Sequence, residues 1–198
     1  MADGRVVLIG GPARVGKTTL ARALAERSSS EFVHADHLLH AVRSVASDSA
    51  RAALGKAPSV DTLSPPEWLD EIRARDRVLW EATRAYIEAA RGDLLVEGGM
   101  WPDWVRELPC EHEAVFLVDT GDSAERLIGI ARADDRNWMA QRGWSDDKIR
   151  RWAEYNRLRG ETIARLAAEH GYPVFDVRDG LTAAQERAAF ALSAKRPL

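Results

Sequence analysis

The stretch Gly11-Pro12-Ala13-Arg14-Val15-Gly16-Lys17-Thr18 constrains this chain more than any other. It fits G-x-x-x-x-G-K-[ST], the pattern of a phosphate-binding loop. Its flanks supply the context the pattern needs. Arg5-Val6-Val7-Leu8-Ile9 is a short apolar, β-branched run that reads as a buried strand. Thr19 to Arg27 follows with Leu20, Ala23 and Leu24 at helical spacing. Gly11 and Gly16 open backbone angles closed to other residues and let the main chain approach a ligand. The amides of Ala13, Arg14, Val15, Gly16, Lys17, Thr18 and Thr19, at a helix N-terminus, would then face an anion. The Lys17 ammonium would neutralise β- and γ-phosphate oxygens, and the Thr18 hydroxyl would ligate Mg²⁺. A plain glycine turn requires neither Lys17 nor Thr18.

Composition narrows the partners. Of the 198 residues 45% are hydrophobic and 30% charged, and net charge is −3 without a basic run. A nucleic-acid surface needs clustered Lys and Arg, so none is expected. No apolar run reaches membrane-spanning length, and Val6 to Ile9 is too short for a secretion signal. Cys110 is the one cysteine, and it reads as a small buried side chain near a strand start. We expect a cytoplasmic protein, one domain over 1–198, as a monomer or homodimer.

Four more apolar runs alternate with helical stretches: Phe32 to Ala35, Asp93 to Glu97, Glu113 to Thr120, and Pro173 to Val177. That alternation predicts an α/β fold with a five-stranded parallel sheet covered on both faces. Ligands of such sheets sit beyond the carboxyl ends of the strands. A helix is expected from Leu38, with Leu39, Val42, Val45 and Ala46 at helical spacing, and irregular mobile chain over 47 to 64. Ser64-Pro65-Pro66-Glu67 is a capping box with proline at the first helical position. The helix after it carries Leu69, Ile72, Asp76, Leu79, Thr83, Tyr86, Ile87 and Ala90 inward and ends at Gly92. Asp76 there is expected to pair with an arginine such as Arg73 or Arg77, with a substrate contact as the alternative. One helix is predicted over about Ser123 to Gln141, a second from Ser145 to His170-Gly171, and a last over about Ala183 to Ala194.

The residues just past each strand are the candidates for chemistry. Asp36 follows strand two and is placed either to accept a proton from an attacking hydroxyl or to cap a helix. Glu97 could hold a water on Mg²⁺, a substrate hydroxyl, or a neighbouring arginine. Trp101 could stack on a substrate, whereas Trp104 reads as core. Arg132 and Arg136, four apart, would share a helical face and stabilise a transferring phosphoryl group.

Together the loop, Asp36, Glu97-Gly98 and the paired arginines resemble the small P-loop kinases, among them shikimate, gluconate and nucleoside monophosphate kinases and chloramphenicol phosphotransferase. The resemblance spans about residues 4 to 192. It implies a three-layer fold with strand order 2-3-1-4-5, a helical substrate-binding region over 37–91 and a lid over 126–145. It also implies an adenine site lined by Arg126 or Arg132 and by Arg178-Asp179-Gly180. Shikimate kinases carry two aspartates around the end of strand two, whereas here His34 holds the earlier place. The resulting expectation is an ATP- and Mg²⁺-dependent transfer of phosphate to a hydroxyl of a small molecule. A nucleoside or nucleotide kinase, with a base stacked over Trp101, and a regulatory ATPase with a protein partner are the alternatives.

Overall fold

The computed structural model describes residues 4–55 and 57–193. In order, the elements are β1 (Val6–Gly10), α1 (Lys17–Ala25), β2 (Glu31–His34), α2 (Ala35–Val45), α3 (Asp48–Ala53), α4 (Pro65–Ala89) and β3 (Leu94–Glu97). Then come α5 (Pro102–Val105), β4 (His112–Val118), α6 (Ala124–Ala133), α7 (Trp138–Gln141), α8 (Asp146–Glu169), β5 (Val174–Asp176) and α9 (Leu181–Ser193). The five strands form one parallel sheet in the order β2-β3-β1-β4-β5.

Strand periodicity divides the core in two. Val6, Leu8, Leu94, Val96, Ala114, Phe116 and Val118 face α4, α5 and α8. Val7, Ile9, Leu95, Val115 and Leu117 face α1 and α9, through Leu20, Leu24, Ala184, Ala188 and Leu192. β1, β3 and most of β4 are buried on both faces and so read as continuous apolar runs, which is why they were visible in the sequence. Glu97 ends β3 two residues after Leu95, so it stands on the α1 face in a strand that is otherwise apolar. Among the described residues, no helix is long and apolar enough to cross a membrane.

Several local expectations need correction. The helix after β2 begins at Ala35 with His34 as N-cap, so Asp36 lies in its first turn and does not cap it. Val45 is 85% exposed at the end of α2 and takes no part in the inward face. Residues 48–53, expected to be irregular, form α3, and Leu54 just after it is fully buried. The capping box at Ser64 forms as read: the Ser64 amide donates to Glu67 Oε2 at 2.9 Å, and Pro65 is the first helical residue. α4 ends at Ala89, with Gly92 in left-handed geometry three residues on. The helix expected over Ser123 to Gln141 is two helices. Asp134 Oδ1 accepts the Arg136 amide at 3.0 Å, and Asn137 Oδ1 accepts the Met139 amide at 2.9 Å. Short polar side chains thus compete for the backbone and start a new helix. α8 starts at the Ser145 cap and closes on His170 and Gly171 as predicted. α9 is described to Ser193, and the predicted end at Ala194 lies outside the described residues.

Candidate active site

The loop between β1 and α1 wraps the carboxyl end of the sheet. A Cβ on Gly11, whose φ is +136°, would lie 2.0 Å from the Leu117 carbonyl, so only glycine lets the loop lean on β4. Arg14 (φ 67°) and Gly16 (φ 81°) are left-handed on either side of Val15, which is not. That alternation turns successive amides toward one point, an anion-binding concavity. Val15 is fully buried and anchors the loop in the α1–α9 core. Two distant side chains brace it: Asn156 Nδ2 donates to the Ala13 carbonyl at 3.0 Å, and Gln185 Nε2 to the Gly16 carbonyl at 2.9 Å. Thr19 is exposed in the first turn of α1. The cradle fits a polyphosphate.

Lys17 Nζ donates to the Pro12 carbonyl at 2.6 Å. Burial pulls its ammonium down to about 8 from an ordinary 10.5. The charges that act on it are those of Glu97, Arg159, Asp36 and Asp76. Thr18 Oγ1 donates to Glu97 Oε1 at 2.8 Å, and that carboxylate is almost fully buried. His34 Nδ1 lies 3.1 Å from the same oxygen without hydrogen-bond alignment. Glu97 has no arginine partner among the described residues. A hydroxyl beside a carboxylate, next to a phosphate cradle, suits Mg²⁺, which takes few protein ligands and shares the rest with phosphate oxygens and water.

Further candidate residues stand on α2, α4 and the turn after β3. Asp36 is exposed at the head of α2. Asp76 is buried and pairs with Arg159 Nη2 at 2.5 Å, not with Arg73 or Arg77 as expected. Arg73 instead pairs with Asp103, and Arg77 with Glu81 and Glu107. The reason is direction: Asp76 faces inward across α8, while Arg73 and Arg77 lie over the Trp104 ring. Burial pushes the Asp76 carboxyl up, and Arg159 and the Trp101 indole hold it back.

Trp101, read as a candidate stacking surface, is 0% exposed. Its Nε1 donates to Asp76 Oδ2 at 3.0 Å, and the guanidinium groups of Arg73 and Arg159 lie over its ring. It has no free face and serves as packing, like Trp104 beside it.

Arg132 and Arg136 do not share a helical face, because α6 ends between them. Arg132 pairs with Asp146 at the start of α8 and Arg136 with Asp134; their side chains are 68% and 88% exposed. Arg14 reaches toward this segment, its guanidinium 6.0 Å from the Trp138 ring in α7, and burial lowers its pKa. Beyond β4 and β5, Arg126 Nη2 donates to Asp119 Oδ2 at 2.6 Å and Arg178 Nη1 to Thr120 Oγ1 at 3.3 Å. The two arginines thus border the ends of neighbouring strands. Arg159, Asn156 and Gln185 were missed in the sequence. The inward stripe of α8 carried a signal for the first two, since Arg159 and Asn156 share it with Trp152 and Ile163.

No family model matches the sequence, and no curated protein matches it. Solved structures do. Shikimate kinase from Bacteroides thetaiotaomicron shares 16% identity over 96% of this chain and 98% of its own, with a TM-score of 0.56. A gluconokinase from Sinorhizobium meliloti shares 15% over 98% and 99%, with a TM-score of 0.52. The tunicamycin resistance protein of Deinococcus radiodurans shares 17% over 97% and 95%, at 0.50. The chain has the fold of the small P-loop kinases.

Proposed function

We propose that the protein is a phosphotransferase that moves the γ-phosphate of ATP, with Mg²⁺, to a hydroxyl of a small molecule. One observation carries the reading: a single ammonium, Lys17, stands in the field of Glu97 on the donor side and of Asp36, Asp76 and Arg159 on the acceptor side. A loop that only gripped nucleotide would need no carboxylates of α2 and α4 whose charge acts on its lysine. The likeness in fold to kinases supports the same reading.

In this reading the loop amides and Lys17 hold the β- and γ-phosphates, and Thr18 and Glu97 hold Mg²⁺, which when bound shields charge on the phosphate oxygens. Asp36 accepts a hydrogen bond from the acceptor hydroxyl and aligns its oxygen for in-line attack. As the O–P bond forms, that proton passes to the Asp36 carboxylate and ADP leaves. Arg14, Arg132 and Arg136 lie on or beside the lid segment over 126–145. Arg126 and Arg178, which border the ends of β4 and β5, would meet the base and its sugar. Of the roles open to Glu97, this reading takes the metal side, which its hydrogen bond from Thr18 supports.

The test is ATP consumption measured against a panel of sugars, nucleosides, hydroxy acids and antibiotics. At least one acceptor should raise turnover well above the rate with ATP alone. ATP bound tightly but consumed at the same slow rate with every acceptor would contradict the reading.

A further inference from the structure

A small cavity lies between α4, the start of α2 and the turn after β3. Ala35, Leu79, Met100 and the Trp80 ring give it apolar walls, and Asp76 and Thr83 are its charged and hydroxyl-bearing residues. Most of the polar atoms there are already used. The Thr83 hydroxyl donates to the Leu79 carbonyl at 2.9 Å. Asp76 Oδ2 takes both Arg159 Nη2 at 2.5 Å and Trp101 Nε1 at 3.0 Å. The same Arg159 nitrogen lies 3.4 Å from the Gly99 carbonyl.

Asp76 Oδ1 lies 3.9 Å from Arg75 Nη1, beyond hydrogen-bond distance. Trp80 Nε1 is buried without a hydrogen-bond partner in a residue 2% exposed. A buried donor left without a partner is costly, so one on a residue that lines the cavity points to a ligand atom or a water. The charge in the cavity wall is the Asp76 carboxylate, and Arg159 neutralises it from a position that does not line the cavity. Arg159 Nε is a further buried donor without a partner, yet its guanidinium charge is committed to Asp76. An incoming carboxylate would therefore meet a carboxylate and apolar walls, with no free cation in the lining.

Resting on the phosphotransferase reading, we propose that the acceptor is an uncharged hydroxyl compound with an apolar body. Its oxygen accepts from the Trp80 indole N–H, a hydroxyl donates to Asp76 Oδ1, and hydroxy acids are excluded. The cavity is about 10 Å³, room for one water. The acceptor's body enlarges it by moving α2 from α4, which meet through the small cluster of Leu39, Leu54 and Leu79 with Leu38, Val42 and Val78 packed against it.

The test measures ATP consumption by the full chain with Mg²⁺, using neutral aryl and alkyl diols in one arm and shikimate and D-gluconate in the other. Diols should raise the rate at least ten-fold over ATP alone and the acids should not. Trp80→Phe should raise the diol KM about five-fold, the size of one lost hydrogen bond. Stimulation by the acids alone would overturn the acceptor class and leave the phosphotransferase reading standing. Stimulation by none of the compounds, with ATP bound, would likewise overturn the acceptor class, and the wider acceptor panel then decides the phosphotransferase reading. Should Trp80→Phe fail to fold, the indole ¹H–¹⁵N signal of Trp80 in the native chain decides. It should shift with diols and not with the acids. A signal unmoved by a diol that is phosphorylated would assign the Trp80 N–H to a buried water instead.

Discussion

Thr18 Oγ1 donates to Glu97 Oε1 at 2.8 Å, joining the first turn of α1 to the end of the neighbouring strand β3. The contact puts a buried carboxylate where a P-loop protein needs one for its cation, although the strand ends in Glu and not Asp. Glu97→Gln keeps an acceptor for Thr18 and removes the charge. Turnover should fall about 10–100-fold at low Mg²⁺ and recover in part as Mg²⁺ rises. A Mg²⁺ titration of the rate checks this; an unchanged Mg²⁺ requirement would return Glu97 to a structural role.

Lys17 titrates near 8, within reach of ordinary buffers. Nucleotide affinity should therefore weaken as pH rises from 7 to 9, and Lys17→Arg should flatten that dependence. Calorimetric titration at three pH values measures it.

The same shift has a consequence for stability. The folded pKa is about 8 and the ordinary value 10.5, so between them the unfolded chain binds more protons than the folded one. Stability should rise with pH through that window and be lower below it. At pH 7 the buried ammonium costs the fold on the order of 2–3 kcal/mol, and Lys17→Met should raise the melting temperature while abolishing turnover. A lower melting temperature in that variant would contradict the placement of Lys17.

Asp36 sits in the first turn of α2, where its charge also favours the helix N-terminus. Asp36→Asn should lower kcat by 10²–10⁴, in the range of lost general-base catalysis, and leave nucleotide affinity within about two-fold. Loss of nucleotide binding of the same size as the loss in kcat would place Asp36 on the donor side.

Asp76 and Arg159 form a buried pair at 2.5 Å between α4 and α8. Asp76→Ala leaves Arg159 buried and uncompensated, and should destabilise by about 3–5 kcal/mol. The double change Asp76→Leu with Arg159→Met should recover most of that loss. Equal destabilisation by the single and double variants, in denaturant melts, would show that the pair is not the source.

The parallel sheet and the loop were legible because both are local. Each strand is a short apolar run, and the loop is a contiguous pattern. The order of strands came through the resemblance, and the structure carries the same order. The acceptor half was less legible because it is assembled from separate elements. Arg159 lies 83 residues from Asp76, and its charge gave no sign that it would be buried. Trp101 follows a glycine turn at a strand end, where ligands gather. The turn carries it under α4, and its indole N–H meets Asp76. Arg132 and Arg136 obeyed helical spacing in a segment where Asp134 and Asn137 bind the backbone and end the helix.

Transfer to an acceptor and hydrolysis leave different phosphorus-containing products. Phosphorus NMR of ATP, Mg²⁺ and an accelerating acceptor separates the two directly. With the native chain the γ-phosphate signal should convert into a phosphomonoester resonance in step with ADP, and with Lys17→Ala it should persist. Conversion into inorganic phosphate alone, with the acceptor unchanged, would contradict the account.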